Sequence, residues 1–294
     1  MNTNSFTLDR DLVFIIGAPR SGTNMLRDVI TSFENVETWP CDEVNYILRH
    51  GNVRFQSDEF PPELARQSVK KYLQKTFKKY AKKQNAKLLV EKTCANSLRV
   101  PFLNEVFPKA KFIFIYRDGV DATGSAKLRW TAKLDIRYIL EKVKFVPLID
   151  LPYYGFRYFW ARLHRFFSSE KRLAFWGPAL NNMQNILISH TLDEVCAIQW
   201  QQCVEKAEQG LRTIEPERIH RVSYESFVNN PKKDLEKILN FLDVKADSNV
   251  IESATQGVSN KSLGKGRASL GEDEVKKLEA LVGPTLKKYG YLSA

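Results

Sequence analysis

Apolar positions along this chain fall into two kinds of run. Short strand-like ones have the length and the β-branched or aromatic content of strands: "LVFII" from Leu12, "KLLV" ending at Val90, "KFIFIY" from Lys111 to Tyr116, and "RIHRVSY" ending at Tyr224. Between and after them, apolar residues recur at helical spacing. These stretches begin near Asn24 and continue at Pro62 to Ala81, Val100 to Phe107, Leu192 to Ile214, Lys232 to Leu242 and Glu272 to Tyr289. Short, continuously apolar strands separated by helices imply an α/β fold with a central parallel sheet flanked by helices. Ligands of such sheets bind at the carboxyl ends of the strands. The loops after Ile16, Val90 and Tyr116 are therefore where chemistry is expected.

No repeat, low-complexity tract or linker divides residues 1–294, so one domain is expected. The α/β alternation is interrupted from Lys127 to Leu180, a stretch thick with Trp, Tyr, Phe, Lys and Arg that reads as an aromatic-rich helical insertion or cap. Pro147, Pro152 and Gly155 break it into short pieces. Its aromatics would stack on sugar rings or settle at a lipid interface, or else bury themselves against the main core.

Composition narrows the classes. With 43% hydrophobic and 27% charged residues, a disordered or fibrous chain is excluded. Lys plus Arg number 45 against 34 acids, and the net charge of +11 favours anionic partners. Cys41, Cys94, Cys196 and Cys203 form no C-x-x-C pair and no ligand spacing with the four histidines, so neither a metal site nor a disulfide framework is expected, and a cytoplasmic setting fits. The amino-terminal residues show no signal-peptide pattern, and no apolar run reaches the roughly 18 residues of a membrane span. Without a helix-turn-helix, zinc finger or RNP-like motif, nucleic acid is not the expected partner.

The segment "GAPRSGTN" from Gly17 nearly spells the phosphate-gripping G-x-x-x-x-G-K-[ST]. Gly17 and Gly22 are correctly spaced, but Thr23 and Asn24 replace the lysine and the magnesium-binding hydroxyl. Backbone N–H groups at a helix N-terminus, the Arg20 guanidinium and the Ser21 and Thr23 hydroxyls then suit an anion that needs no metal.

"GAPRSGTNMLR" resembles the 5′-phosphosulfate loop of sulfotransferases that use 3′-phosphoadenosine 5′-phosphosulfate, PAPS. "VEKTCANSLRVPFLNEVFPKAKFIFIYRDGVDATGSA" is similar to that family's central stretch, with Lys92, Arg117 and Ser125 in the matching positions. "RVSYESFVNNPKKDLEKILNFLDV" resembles a later signature that includes Tyr224, and "SLGKGRASL" resembles a K-G-R loop of the heparan sulfate members. The blocks lie in the family's order and, with their flanks, span most of the chain.

The resemblance implies a P-loop-like fold, PAPS as sulfuryl donor, no metal, and an acceptor alcohol on a glycan, glycolipid or small metabolite. Arg20, Ser21, Gly22, Thr23 and Asn24 would hold the 5′ end of the nucleotide. Arg117, Ser125, Tyr224, Lys265, Gly266 and Arg267 would hold the rest, with Arg117 giving a bidentate 3′-phosphate contact and residues 265–267 closing over it as a loop. A competing reading of Arg117 pairs it with Asp118 or Asp121. "DEVNYI" is similar to the element that carries the family's catalytic base, which assigns Glu43 that role with Asp42 as fallback. Lys92 would stabilise charge on the leaving phosphate, together with Arg20. An ion pair of Lys92 with Glu91 is disfavoured, because neighbours in an extended chain point to opposite sides. Cys94 departs from the proline common after E-K-T. Two rival readings are a P-loop kinase-like phosphotransferase and a noncatalytic polyanion- or membrane-binding protein, the latter touching a membrane through 127–180.

Overall fold

The computed structural model describes residue 7 and residues 11–130, 144–156 and 176–293. Five parallel strands form one sheet: β1 (Leu12–Ile16), β2 (Val36–Thr38), β3 (Leu88–Lys92), β4 (Lys111–Tyr116) and β5 (Ile219–Ser223), in the order β2-β3-β1-β4-β5. The helices are α1 (Thr23–Ile30), α2 (Asn45–Leu48), α3 (Gln67–Lys83), α4 (Val100–Val106), α5 (Gly119–Trp130), α6 (Met183–Ser189), α7 (Leu192–Leu211), α8 (Tyr224–Asn229), α9 (Pro231–Leu242), α10 (Ser248–Thr255), α11 (Lys265–Ala268) and α12 (Glu272–Lys288).

The sheet is buried on both faces because its strands alternate between two cores. Leu12, Phe14, Ile16, Phe112 and Phe114 pack with Phe77 of α3, Phe102 of α4, Trp200 of α7 and Leu278 of α12. Val13, Ile15, Ile113 and Ile115 point the other way, to Leu26 of α1, Phe227 of α8 and Ile238 of α9. A residue-by-residue apolar run is what two such faces require. β1 lies between β3 and β4: the chain leaves β1 toward the β2 edge, and later crosses from β3 past β1 to β4, toward the opposite edge. That reversal opens a crevice at the carboxyl ends of β1, β3 and β4.

The four apolar runs are strands, and the amphipathic stretches are helices within a few residues of their expected limits. β2 escapes the sequence pattern because three residues are too few to show a period. Tyr224 does not close a strand. Ser223 ends β5, and its hydroxyl caps α8 by accepting the Ser226 N–H at 3.0 Å, so Tyr224 opens that helix. The 127–180 segment is described in part. Val146 is buried and Phe145 packs edge-on to Trp39, while Leu148 and Ile149 are 84% and 80% exposed, so core and surface roles are mixed. Tyr153 and Tyr154 are half-buried and meet each other edge to face, and Tyr154 meets Tyr46 in the same way, whereas Trp160 lies outside the described residues. Among the described residues, no helix is long and apolar enough to cross a membrane.

The start of α5 is fixed by one aromatic side chain. Trp200 is 2% exposed, and its indole N–H donates to the Arg117 carbonyl at 3.1 Å. Its ring lies so near Gly119 that a Cβ there would approach within 2.5 Å. Trp200→Phe keeps most of the packing but leaves that carbonyl buried without its partner. The expected loss is about 1–3 kcal/mol of unfolding free energy, read from the denaturant midpoint; parental stability would show that the bond contributes nothing.

Candidate active site

The loop after β1 is shaped by close contact. A Cβ on Gly17 would sit 2.7 Å from the Ile115 carbonyl oxygen, and one on Gly22 would sit 2.4 Å from the Tyr224 ring. Gly22 has a φ of 87°, and Arg20, at 69°, is one of few non-glycine residues with positive φ. Gly22 offers α1 no side-chain cap, which leaves the N–H groups of the first helical turn open to an anion. Ser21 Oγ, fully buried, has no hydrogen-bond partner among the described residues.

A cleft of about 840 Å³ opens over this loop. Among the described residues, Arg20, Lys92, Arg117, Arg129 and Lys265 line it with two acids, Asp42 and Glu43. Burial, then the Arg129 and Arg117 cations, push Arg20 below its ordinary pKa, which marks a site crowded with positive charge. A cavity of about 860 Å³ lies at the other end of the sheet, near Asp11, Lys87 and Lys111. Its mixed charges and its place at the amino ends of the strands make it the poorer candidate.

Lys92 projects from the end of β3 and is 3% exposed. Its Nζ lies 2.9 Å from Asp42 Oδ1 and 3.5 Å from Glu43 Oε1. Burial opposes its charge, but Glu43 and Asp42 outweigh it and hold the Lys92 pKa above normal. Glu91 faces elsewhere, as alternation requires. Asp42 Oδ1 also accepts from Arg27 Nη1 at 2.9 Å and from Asn24 Nδ2 at 2.8 Å. Burial alone would raise its pKa, yet Lys92 and Arg27 hold the Asp42 carboxyl well below the usual carboxylate range. Glu43 Oε1 accepts the Cys94 N–H at 3.1 Å, while Oε2 makes no hydrogen bond among the described residues, and the side chain lines the cleft. Burial drives the Cys94 thiol far up, which removes it as a nucleophile near neutral pH.

The other expected residues are arranged differently from the sequence reading. Arg20 and Ser125, expected at separate anion sites, are joined: Arg20 Nε donates to Ser125 Oγ at 2.9 Å. Arg117 is paired with Asp121, donates to the carbonyls of Arg20 (2.9 Å) and Ser262 (3.0 Å), and lies over the Tyr224 ring. Four of its five N–H groups are thereby engaged, so a bidentate phosphate grip requires breaking existing bonds. Residues 265–268 are a helical turn, not an open loop, because Asp121 accepts the N–H groups of Gly264, Gly266 and Arg267. Gly266 presses on α5 so closely that a Cβ would meet the Asp121 carbonyl at 1.9 Å. Arg267 turns to Asp118 and Glu279 and does not line the cleft.

Asp121 was visible in the sequence as the i,i+4 partner of Arg117, but not as the anchor of a turn over 140 residues away. Arg129 and Trp176 of the cleft wall, and Ser97, which accepts the Gly17 N–H at 3.1 Å, carried no signal of their own. Among the described residues, no group of three His, Cys, Asp or Glu could hold a metal ion.

The sequence model of the sulfotransferase family matches residues 12–170 and 159–248. The chain belongs to the sulfotransferase family. It is 22% identical over 250 residues to a protein-tyrosine sulfotransferase of Drosophila melanogaster, which is 82% of this chain but only 39% of that relative. Solved structures share the fold. The sulfotransferase domain from the curacin biosynthetic pathway superposes with a TM-score of 0.55 at 15% identity, covering 96% of this chain and 98% of that one. Sulfotransferase STF9 from Mycobacterium avium gives 0.55 at 13%, covering 97% and 78%. Mouse sulfotransferase SULT7A1 complexed with PAP gives 0.52 at 14%, covering 98% and 91%.

Two outcomes are expected for this family member. Asp121→Asn breaks a buried ion pair and the anchor of α11. It should cost about 3–5 kcal/mol of stability, measurable by denaturant titration, and an unshifted midpoint would refute the anchoring role. Asp42 has a folded pKa below its ordinary 3.8, so it stabilises the fold above that pH, and the contribution is lost as pH falls. The melting difference between the parent and Asp42→Asn should therefore be largest near neutrality and shrink in acid; a constant difference from pH 7 down to pH 2 contradicts it.

Proposed function

We propose that the chain transfers a sulfuryl group from PAPS to an acceptor hydroxyl. One observation carries this reading: the cationic loop after β1 and the Lys92, Asp42 and Glu43 cluster meet in a single cleft. The residues present fit the donor. The open N-terminal turn of α1, the unspent Ser21 hydroxyl, Arg20 and Lys92 would hold its 5′ end. Ser125, Lys265, the Tyr224 ring and the remaining N–H of Arg117 would hold the 3′-phosphate end, which ATP lacks. When bound, PAPS supplies the sulfuryl group.

Glu43 Oε2 takes the proton of the acceptor hydroxyl. Asp42 is the poorer base, because three donors hold its carboxylate ionised. Its role is to fix Lys92, whose ammonium stabilises negative charge on the leaving oxygen. The acceptor is a glycan, a glycolipid or a small metabolite; the name of the fly relative adds a tyrosine hydroxyl to these. Leu128, Arg129 and Trp176, at the two ends of the 127–180 segment, line the cleft and support an acceptor-side cap. Exposed Leu148, Ile149 and Phe156 support a peripheral membrane contact by the same segment. One domain over residues 1–294 and a cytoplasmic location complete the proposal.

Calorimetry in EDTA tests the nucleotide. 3′-Phosphoadenosine 5′-phosphate should bind without magnesium and more tightly than ADP, and Arg20→Ala should weaken it by about 1.5–3 kcal/mol. Equal affinity for ADP, or a strict magnesium requirement, would favour the kinase-like alternative. Glu43→Gln should leave that affinity intact and lower kcat roughly 10²–10⁴-fold in a PAPS-dependent assay over an acceptor panel. Full activity in Glu43→Gln would place the base elsewhere.

A further inference from the structure

Glu91 precedes Lys92 on β3 and is 1% exposed. Its Oε1 accepts from the Thr93 hydroxyl, and its Oε2 from the Asn96 side-chain amide, each at 2.5 Å. Two arms run from these contacts to the loop that carries Glu43. In the first, Thr93 Oγ1 accepts the Val44 N–H at 3.2 Å. In the second, Asn96 Oδ1 accepts from Arg99 Nε at 2.9 Å, and Arg99 Nη2 donates to Asn45 Oδ1 at 2.7 Å. Thr93, Asn96 and Arg99 are all 0% exposed, so water does not compete for these bonds except at the half-buried Asn45 end of the second arm.

The polarity of both arms is fixed. Arginine only donates, so Asn96 must turn its oxygen to Arg99 and its NH₂ to Glu91. The Val44 N–H also only donates, so Thr93 accepts from it and keeps its own proton for Glu91. Two donors thus face the two oxygens of Glu91, and an ionised carboxylate is their complement. Chained buried hydrogen bonds polarise one another and hold their parts more rigidly than separate bonds would, and among the described residues only Arg99 Nη1, 3.8 Å from Asp58 Oδ1, is left without a hydrogen bond in this network.

We infer that the Glu91 carboxylate is the positioning residue that fixes the Val44–Asn45 turn and, through it, holds Glu43 against Lys92. The inference rests on the reading of Glu43 as the base. Burial drives the Glu91 carboxyl up to about 7; the Thr93 hydrogen bond, Arg99 and Lys92 oppose the shift and Glu43 adds to it. The anchor therefore changes charge near neutral pH, within the electrostatic influence of Arg99, Lys92 and Glu43.

Glu91→Gln keeps the size of the side chain but turns an NH₂ onto one of the two donors, cutting an arm. In the protein bound to 3′-phosphoadenosine 5′-phosphate, the Val44 amide should exchange with solvent faster. Nucleotide affinity should hold while kcat falls about 10²-fold, the scale of a small misplacement of a catalytic group. The Glu43→Gln/Glu91→Gln double variant should be no slower than Glu43→Gln alone, because the two residues act as one unit. Thr93→Val cuts only the first arm. It should show the same pattern with a smaller loss of kcat, and it decides the matter if Glu91→Gln does not fold. Unchanged Val44 exchange, or losses that multiply in the double variant, would overturn the inference. A parent chain that transfers no sulfuryl group while Val44 exchange still rises in both variants would end the functional reading and leave the anchoring of the loop standing.

Discussion

Repulsion among clustered cations, from buried Lys92 and Arg117 to exposed Arg129 and Lys265, is the constraint around which this cleft is built. Arg20, Lys92, Arg117, Arg129 and Lys265 share one opening, and burial with neighbouring cations already weakens the hold of Arg20 on its proton. Such a cluster folds only if carboxylates are built in to offset it. Asp42 serves one side by binding Lys92, Arg27 and Asn24 through a single oxygen. Asp121 serves the other, pairing with Arg117 while accepting three backbone N–H groups from residues 264–267. Each acid also ties a separate stretch of chain to the cleft, so charge balance and loop placement are one device.

The turn after β3 does the remaining mechanical work. Ser97 takes the first N–H of the loop after β1, Cys94 gives its N–H to Glu43, and Thr93 takes the N–H of Val44. Two loops from distant parts of the sequence are thus bonded to the same short turn. Side chains on a rigid element keep their geometry better than side chains on free loops. Glu91, beneath the turn, satisfies two of its members at once.

Much of this was legible in the sequence. Two-sided burial writes itself as an unbroken apolar run, so the three central strands could be read directly, while the edge strand β5, IHRVS, could be read only as a strand-like stretch. The Gly17 to Gly22 spacing, with no lysine following, marked an anion loop of unusual chemistry, and alternation along β3 correctly sent Lys92 and Glu91 to different partners. These features depend on local geometry, which a sequence specifies within a few residues.

What only the tertiary structure decided concerns partners far apart in the chain. Arg117 and residues 265–267 looked like free phosphate ligands because nothing local says where Asp121 spends its lone pairs. The resemblance had already ranked Glu43 above Asp42 as the proposed base; what the fold adds is Arg27, Asn24 and Lys92 converging on one Asp42 oxygen, an arrangement set by how α1 packs beside β3. Hydrogen-bond capacity is a property of each residue, and so is readable from the sequence. Its allocation depends on which groups are brought within about 3 Å of each other, and only the folded chain determines that.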